Sequence, residues 1–193
     1  LSELQDSNKV VSLETKSKLA LEAFQHTARY DSIIADYLGT QFGSEEELFP
    51  ETLTTVLKKQ SSLRYGENPH QNAVFYKFNA GKNGIPSLVQ HHGKELSFNN
   101  IVDIESAWEI VKEFSEPAAV VIKHTNPCGA AIADTIELAY QKAHDADPVS
   151  AFGSIIGLNR PVNEATAEAI SQTFVEAVIA PEFEEDALKI LTQ

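Results

Sequence analysis

The sequence predicts an α/β domain with a largely parallel sheet, preceded by a helical N-terminal stretch. Two observations carry this reading. Apolar residues early in the chain recur at helical spacing, and beyond residue 72 short Val/Ile/Phe-rich runs alternate with amphipathic segments. Ser12 is a candidate N-cap, and Leu19, Ala20, Ala23, Phe24 and Thr27 share one face of the helix that follows. A second helical stretch, 33–38, is expected to stop at Gly39. Residues 39–51 hold Gly39, Gly43, Pro50 and the acidic run Glu45-Glu46-Glu47, the composition of a linker. The helical stretch cannot bury its own apolar stripe, so it is expected to pack on a segment preceding Leu1.

Residues 72–78 are strand-like. Asp103 is positioned to cap a helix whose Ile104, Ala107, Trp108 and Val111 repeat at helical spacing. Pro117 precedes a short buried strand, 118–122. Asp134 with Glu137 makes a capping-box pattern that opens a helix running to about His144. Another apolar strand covers 154–158, and Asn163 caps the helix after it. A third strand covers 174–180, and Pro181 is expected to start a final helix ending near Leu191. There is no internal repeat and no low-complexity segment.

At 193 residues the chain can form one fair-sized domain or parts of two. Its formal net charge is -13, and its Lys and Arg are scattered, with Lys58-Lys59 the densest pair. An acidic surface repels phosphate backbones, so neither nucleic acid nor an anionic membrane is an expected partner. A small anionic substrate remains compatible, because a pocket needs only one or two placed cations. Cys128 is the single cysteine, which excludes an intrachain disulfide and a Cys-rich metal site and fits a cytoplasmic setting. The apolar run 118–122 is far too short to cross a bilayer, and no charged-then-apolar leader opens the chain. The sequence has no methionine and opens at Leu1, so it is expected to be a processed or excised piece.

Three constellations could carry chemistry. Lys123-His124-Thr125-Asn126-Pro127-Cys128-Gly129 begins where the strand 118–122 ends, and open α/β sheets bind ligands beyond the carboxyl ends of their strands. Lys123 could hold an anion or oxyanion, and His124 could exchange a proton near neutral pH; the same residues would also suit a polar turn. In Leu63-Arg64-Tyr65-Gly66-Glu67-Asn68-Pro69-His70-Gln71, Arg64 offers a rigid fork for phosphate, although the segment also reads as a loop entering a strand. In Pro148-Val149-Ser150-Ala151-Phe152-Gly153-Ser154, Phe152 could stack on a planar ring or fill the core beside a tight turn. Other motifs are missing. Cys128 follows Pro127 without the second cysteine of a deaminase zinc pair, and the adjacent His91-His92 make a poor chelate and read as exposed loop residues. There is no Walker loop, dinucleotide glycine fingerprint or Gly-x-Ser-x-Gly elbow.

Taken in order, Ser12-Leu13-Glu14-Thr15, Ala23-Phe24-Gln25-His26-Thr27-Ala28 with Tyr30-Asp31, and the Leu63–Gln71 segment resemble one family. So do Leu96-Ser97-Phe98-Asn99-Asn100, Ile122-Lys123-His124-Thr125-Asn126-Pro127-Cys128-Gly129, Ser150-Ala151-Phe152-Gly153 and Val178-Ile179-Ala180-Pro181. The family is the bifunctional AICAR transformylase/IMP cyclohydrolases. The resemblance implies that residues 1–42 are the C-terminal helical tail of a cyclohydrolase domain and 43–62 a linker. Residues 63–193 would be the first cytidine-deaminase-like half, a three-layer α/β/α unit, of a transformylase domain. It implies formyl transfer from 10-formyltetrahydrofolate, a co-substrate, to the amino group of AICAR, with no metal required, in late IMP biosynthesis.

Carried over by resemblance, Lys123 and His124 are the catalytic pair, while Arg64 and Tyr65 hold the phosphate end or ring of the nucleotide. Asn100 and the Phe152-Gly153 turn shape the imidazole-carboxamide pocket, and Glu176 falls where an acidic side chain contacts substrate. The chemistry suits these residue types. The AICAR amine is a poor nucleophile whose lone pair is delocalised into the ring; one of the pair would take its proton while the other steadies the charge forming on the formyl oxygen. The family's sites lie at a homodimer interface, and the cyclohydrolase core and much of the folate site would lie outside this chain. The fragment alone is therefore expected to be inactive. Two rival readings are a non-catalytic nucleotide-binding module of deaminase-like fold and a zinc deaminase relative; the missing cysteine pair counts against the second.

Overall fold

The structure is a computed structural model that describes residues 2–6, 10–43, 49, 51–78 and 84–193. The acidic run Glu45-Glu46-Glu47 lies outside them. The chain divides into two compact units, Leu1–Lys58 and Lys59–Gln193. The first contains a short helix, α1 (Ser2–Asp6), and a long one, α2 (Leu13–Phe42). Ser12 caps α2 as expected, its hydroxyl accepting the Thr15 N–H at 3.1 Å, and the Glu3 carboxylate accepts the Ser12 N–H. Gly39 does not stop the helix. Glycine costs a helix interior roughly 1 kcal/mol against alanine, but the next turn still closes through the Gly43 N–H on the Gly39 carbonyl, so the two expected stretches are one rod. No residue of α2 is buried, and Leu19, Phe24, Tyr30 and Tyr37 are among its exposed apolar side chains.

The second unit opens with a two-stranded sheet, β1 (Leu57–Leu63) and β2 (Ala73–Phe78), followed by a 3₁₀ turn at Ile85–Ser87. Then come α3 (Phe98–Val111), β3 (Ala118–Lys123), β4 (Asn126–Ile132), α4 (Ile136–Ala146), α5 (Pro148–Ala151), β5 (Ser154–Leu158), α6 (Glu164–Ser171), β6 (Val175–Ile179) and α7 (Glu185–Leu191). The main sheet has strand order β4-β3-β5-β6. It is not largely parallel: β3 pairs antiparallel with both β4 and β5, and only β5 and β6 pair in parallel. The cause is a hairpin at residues 123–126, where the sequence suggests a loop. Strands β4, β5 and β6 run one way and β3 alone runs against them.

The two central strands of the sheet, β3 and β5, are buried on both faces. Ala119 and Val121 of β3 with Ile156 and Leu158 of β5 pack under Tyr140 of α4, Ile170 of α6 and Ala187 of α7. Val120, Ile122 and Ile155 point the other way, against Ile104, Ala107 and Val111 of α3. This is a mixed α/β domain in three layers. Strands covered on both sides read as continuous apolar runs, which is why β3 and β5 are legible.

Helix starts moved in three places. Ser97, not Asp103, caps α3, in a reciprocal box with Asn100. Thr135 caps α4 by accepting the Leu138 N–H, leaving Asp134 outside, while Glu137 accepts from Gln141 instead of closing a box. Pro181 starts no helix. The Val162 N–H bonds the Glu182 carbonyl and the Glu184 N–H bonds the Val162 carbonyl, so this stretch is held extended and α7 begins only at Glu185. Asn163 caps α6 as expected.

At Gly129 the sheet lies close against a helix: a Cβ there would land on the carbonyl oxygen of Ala143 in α4. Because the obstacle is backbone, it cannot swing aside. Gly129→Ala is expected to destabilise the fold by about 1–3 kcal/mol, the usual cost of overpacking. The urea midpoint measures this, and an unchanged midpoint would mean that β4 and α4 are further apart.

Candidate active site at the β3–β4 turn

The chain reverses between β3 and β4 in two residues. Lys123 pairs with Asn126, and His124 and Thr125 between them have φ of 53° and 63°. Left-handed backbone at both central positions is the hairpin turn normally built from Asn-Gly. Here neither residue is glycine and Thr125 is β-branched, a conformation costing roughly 1–2 kcal/mol per residue. Three hydrogen bonds offset that cost. The Asp103 carboxylate accepts the Thr125 N–H at 2.7 Å, and the Thr125 hydroxyl and Asn126 amide both donate to the His124 carbonyl.

The rest of the motif is structural. Val121 pairs with Gly129 and Ile122 with Pro127, so Cys128 is the extra residue of a β-bulge. Its thiol donates to the Val121 carbonyl at 3.4 Å. Burial pushes the Cys128 thiol above its ordinary range, which makes it a poor nucleophile or ligand. Pro127 lacks an N–H and is tolerated because β4 is an edge strand.

Because β3 runs against its neighbours, its carboxyl end meets the amino ends of the other three strands. Lys123 therefore lies beside the segment leading into β5, and its Nζ donates to the Phe152 carbonyl at 3.0 Å. An ammonium has three donors, so one such bond leaves two for a ligand. Asp147 organises the approach by capping α5, accepting the Ser150 N–H and hydroxyl. The Ser150 hydroxyl, then its N–H, and the nearby Lys123 charge hold the Asp147 carboxyl below its ordinary value. Gly153 has φ 70° and donates its N–H to the Phe174 carbonyl at 2.8 Å. Phe152 is 61% exposed, so it does not fill the core; its ring tilts against that of Phe174 at 5.5 Å between centroids.

The other sequence-selected residues gather at the start of α3. The Arg64 N–H bonds the Leu96 carbonyl and the Phe98 N–H bonds the Tyr65 carbonyl, laying residues 64–65 across the helix entrance. The Arg64 guanidinium reaches the Tyr65 hydroxyl at 3.3 Å and Asn100 Oδ1 at 3.5 Å, with its Cζ 5.0 Å from the Tyr65 ring centroid. Asn100 Oδ1 also accepts from the Ser97 N–H and hydroxyl. That oxygen is committed to the helix cap, so a ligand would have to use the Asn100 amide nitrogen. Arg64, Asn100 and the exposed Glu176 line a cavity of about 780 Å³ together with Ile101, Ile104 and Phe174.

The structure thus brings the eight sequence-selected residues into two groups. Lys123, Phe152 and Gly153 meet at the sheet end beside His124; Arg64, Tyr65 and Asn100 meet at the α3 entrance, with Glu176 across the cavity. Asp103 and Phe174 connect them, and sequence reasoning missed both. Asp103 lies one helical turn beyond Asn100 and bonds the β3–β4 turn; Phe174 lines the cavity and touches Phe152. A Ser-x-x-Asn pattern was the available signal that α3 starts before Asp103. His91 and His92 are exposed, with the His91 ring edge-on to Phe183. Among the described residues no group of three or more His, Cys, Asp or Glu side chains is arranged to hold a metal ion, and no helix is long and apolar enough to cross a membrane.

A family model described as "AICARFT/IMPCHase bienzyme" matches residues 1–193. The chain is 56% identical over 194 residues to the Bifunctional purine biosynthesis protein PurH of Acetivibrio thermocellus. It is 54% identical over 194 residues to that of Ruminiclostridium cellulolyticum and 52% over 193 residues to that of Halalkalibacterium halodurans. Each comparison covers 100% of this chain and 37% of the relative, so the chain spans little more than a third of the length of these proteins. With every residue inside the family match and more than half identical to these relatives, the chain belongs to the AICARFT/IMPCHase bienzyme family.

Proposed function

We propose that this chain supplies the nucleotide-holding and proton-handling part of a site at which a formyl group passes from 10-formyltetrahydrofolate to the amine of AICAR. The observation that carries the reading is the Lys123 ammonium, anchored on the Phe152 carbonyl beside His124 at the convergent end of four strands, in a chain of this family. In the reaction the AICAR nitrogen attacks the formyl carbon and loses its proton. The bond from that carbon to the folate nitrogen then breaks, and tetrahydrofolate leaves after its nitrogen is protonated. His124, exposed at the apex of the turn, suits the proton transfers; Lys123, with donors to spare, suits the charge that forms on the formyl oxygen.

In this reading Arg64 and Tyr65 take the phosphate end of AICAR, with the Asn100 amide, Gly153 and Glu176 around its ring and carboxamide. No metal is needed for these steps. The three-layer packing supports reading residues 63–193 as a cytidine-deaminase-like half-domain. Residues 1–42 are read as the tail of a cyclohydrolase domain and 43–62 as the linker. Both activities belong to a cytoplasmic protein of the relatives' full length that works as a homodimer with sites at its interface.

In a protein of the relatives' full length carrying this sequence, Lys123→Ala and His124→Ala are each expected to slow formyl transfer by about 10²–10⁴-fold and to leave IMP cyclisation intact. Both activities are assayed on each variant. Undiminished tetrahydrofolate release would remove the pair from the chemistry and favour a nucleotide-binding module instead.

Arg64→Lys keeps the charge but loses the planar fork. AICAR affinity should weaken about tenfold, the scale of one lost hydrogen bond to a charged group, while folate affinity holds. Calorimetry with each ligand separates the two; unchanged AICAR binding would make Arg64 a loop anchor.

A further inference from the structure

We infer that Asp103 is a positioning residue for the transfer reaction: its carboxylate locks the His124–Thr125 turn and so fixes where Lys123 and His124 present their side chains. This rests on the formyl-transfer reading above. Two consecutive non-glycine residues with φ of 53° and 63° will relax toward ordinary backbone unless something holds them. The bonds from the Thr125 hydroxyl and the Asn126 amide to the His124 carbonyl lie within the turn and travel with it. The bond from the Thr125 N–H to Asp103 Oδ1 differs in kind. At 2.7 Å it is short and charge-assisted, and it joins the turn to a separate element 22 residues away in sequence.

That element is a rigid reference. α3 is capped by the Ser97–Asn100 box, and its Ile104, Ala107 and Val111 are buried against the sheet. Asp103 is half-buried on it, one turn beyond Asn100, whose side chain meets the Arg64 guanidinium. One helix therefore sets the distance between the proposed phosphate-holding group and the proposed proton-transfer pair. Reacting groups must be held within a fraction of an ångström of their productive geometry, and loss of that placement lowers the turnover rate more than the binding of substrate.

The role depends on where the acceptor oxygen sits more than on its charge, which gives it a distinctive signature. In the full-length protein, Asp103→Ala should lower kcat for formyl transfer by about 10²-fold, the scale of a misplaced reacting group. The KM for AICAR and the cyclisation rate should change little. Amide hydrogen exchange at Thr125 should accelerate in the same variant. Asp103→Asn, which keeps an oxygen in place, should restore both kcat and exchange protection. Asp103→Glu, which keeps the charge but moves the oxygens out by a methylene, should stay impaired. A fast Glu variant beside a slow Asn variant would overturn the proposal even if the Ala variant failed to fold, and so would an Ala variant with normal kcat. Unchanged Thr125 exchange in Asp103→Ala would overturn the lock alone. Undiminished transfer in Lys123→Ala would instead sink the reaction reading and with it the catalytic consequence of the lock, leaving Thr125 exchange to decide whether the lock exists.

Discussion

A reversal of direction in two residues organises the second unit. Because the turn at His124 and Thr125 is so short, β4 must lie antiparallel against β3. The chain then returns through α4 and α5 to the other side of β3, which leaves β3 as the one strand pointing against the rest. Its last residue, Lys123, is thereby delivered to the edge where three strands begin. That sets its ammonium beside the Phe152 carbonyl. The cost is local, two left-handed residues, and it is met by two short side chains of the turn and by a carboxylate from α3.

The far end of β3 is pinned as firmly. The Asn159 side chain accepts the Ala118 N–H and donates to the carbonyls of Phe114 and Glu116, and the Arg160 guanidinium bonds the Ser115 carbonyl. One polar side chain thus satisfies three backbone groups in the segment leading into the central strand, which would otherwise leave unpaired groups near the core. A strand fixed at both ends, with Val120, Val121 and Ile122 fully buried between them, is a stiff base for a site.

What the sequence disclosed follows from which signals are local. β3 and β5 were visible because buried strands spell continuous apolar runs. Asn163 was visible because its Asn-x-x-Thr cap is short-range. β1 was not, since Leu57–Leu63 reads LKKQSSL and leaves all but its last residue exposed. The hairpin stayed hidden for a sharper reason: His-Thr is an improbable pair for left-handed backbone, and Asp103, which makes it tolerable, is 22 residues away. At the candidate site the residue types were readable but their grouping was not. Arg64 meets Asn100 across 36 residues and Lys123 meets Phe152 across 29, separations that no spacing rule reaches. Resemblance to a family named the residues, but it set Asn100 with the Phe152-Gly153 turn, whereas the structure sets it beside Arg64.

The bulge at Cys128 and the proline before it have an effect beyond the turn. β4 is an outer strand of its sheet, and an outer strand ordinarily offers a regular ladder of donors and acceptors on which another chain can grow. Pro127 has no donor to offer, and the extra residue puts the flanking groups out of step. This rim of the second unit is therefore a poor template for stray strands, a property set by the two residues just beyond the turn.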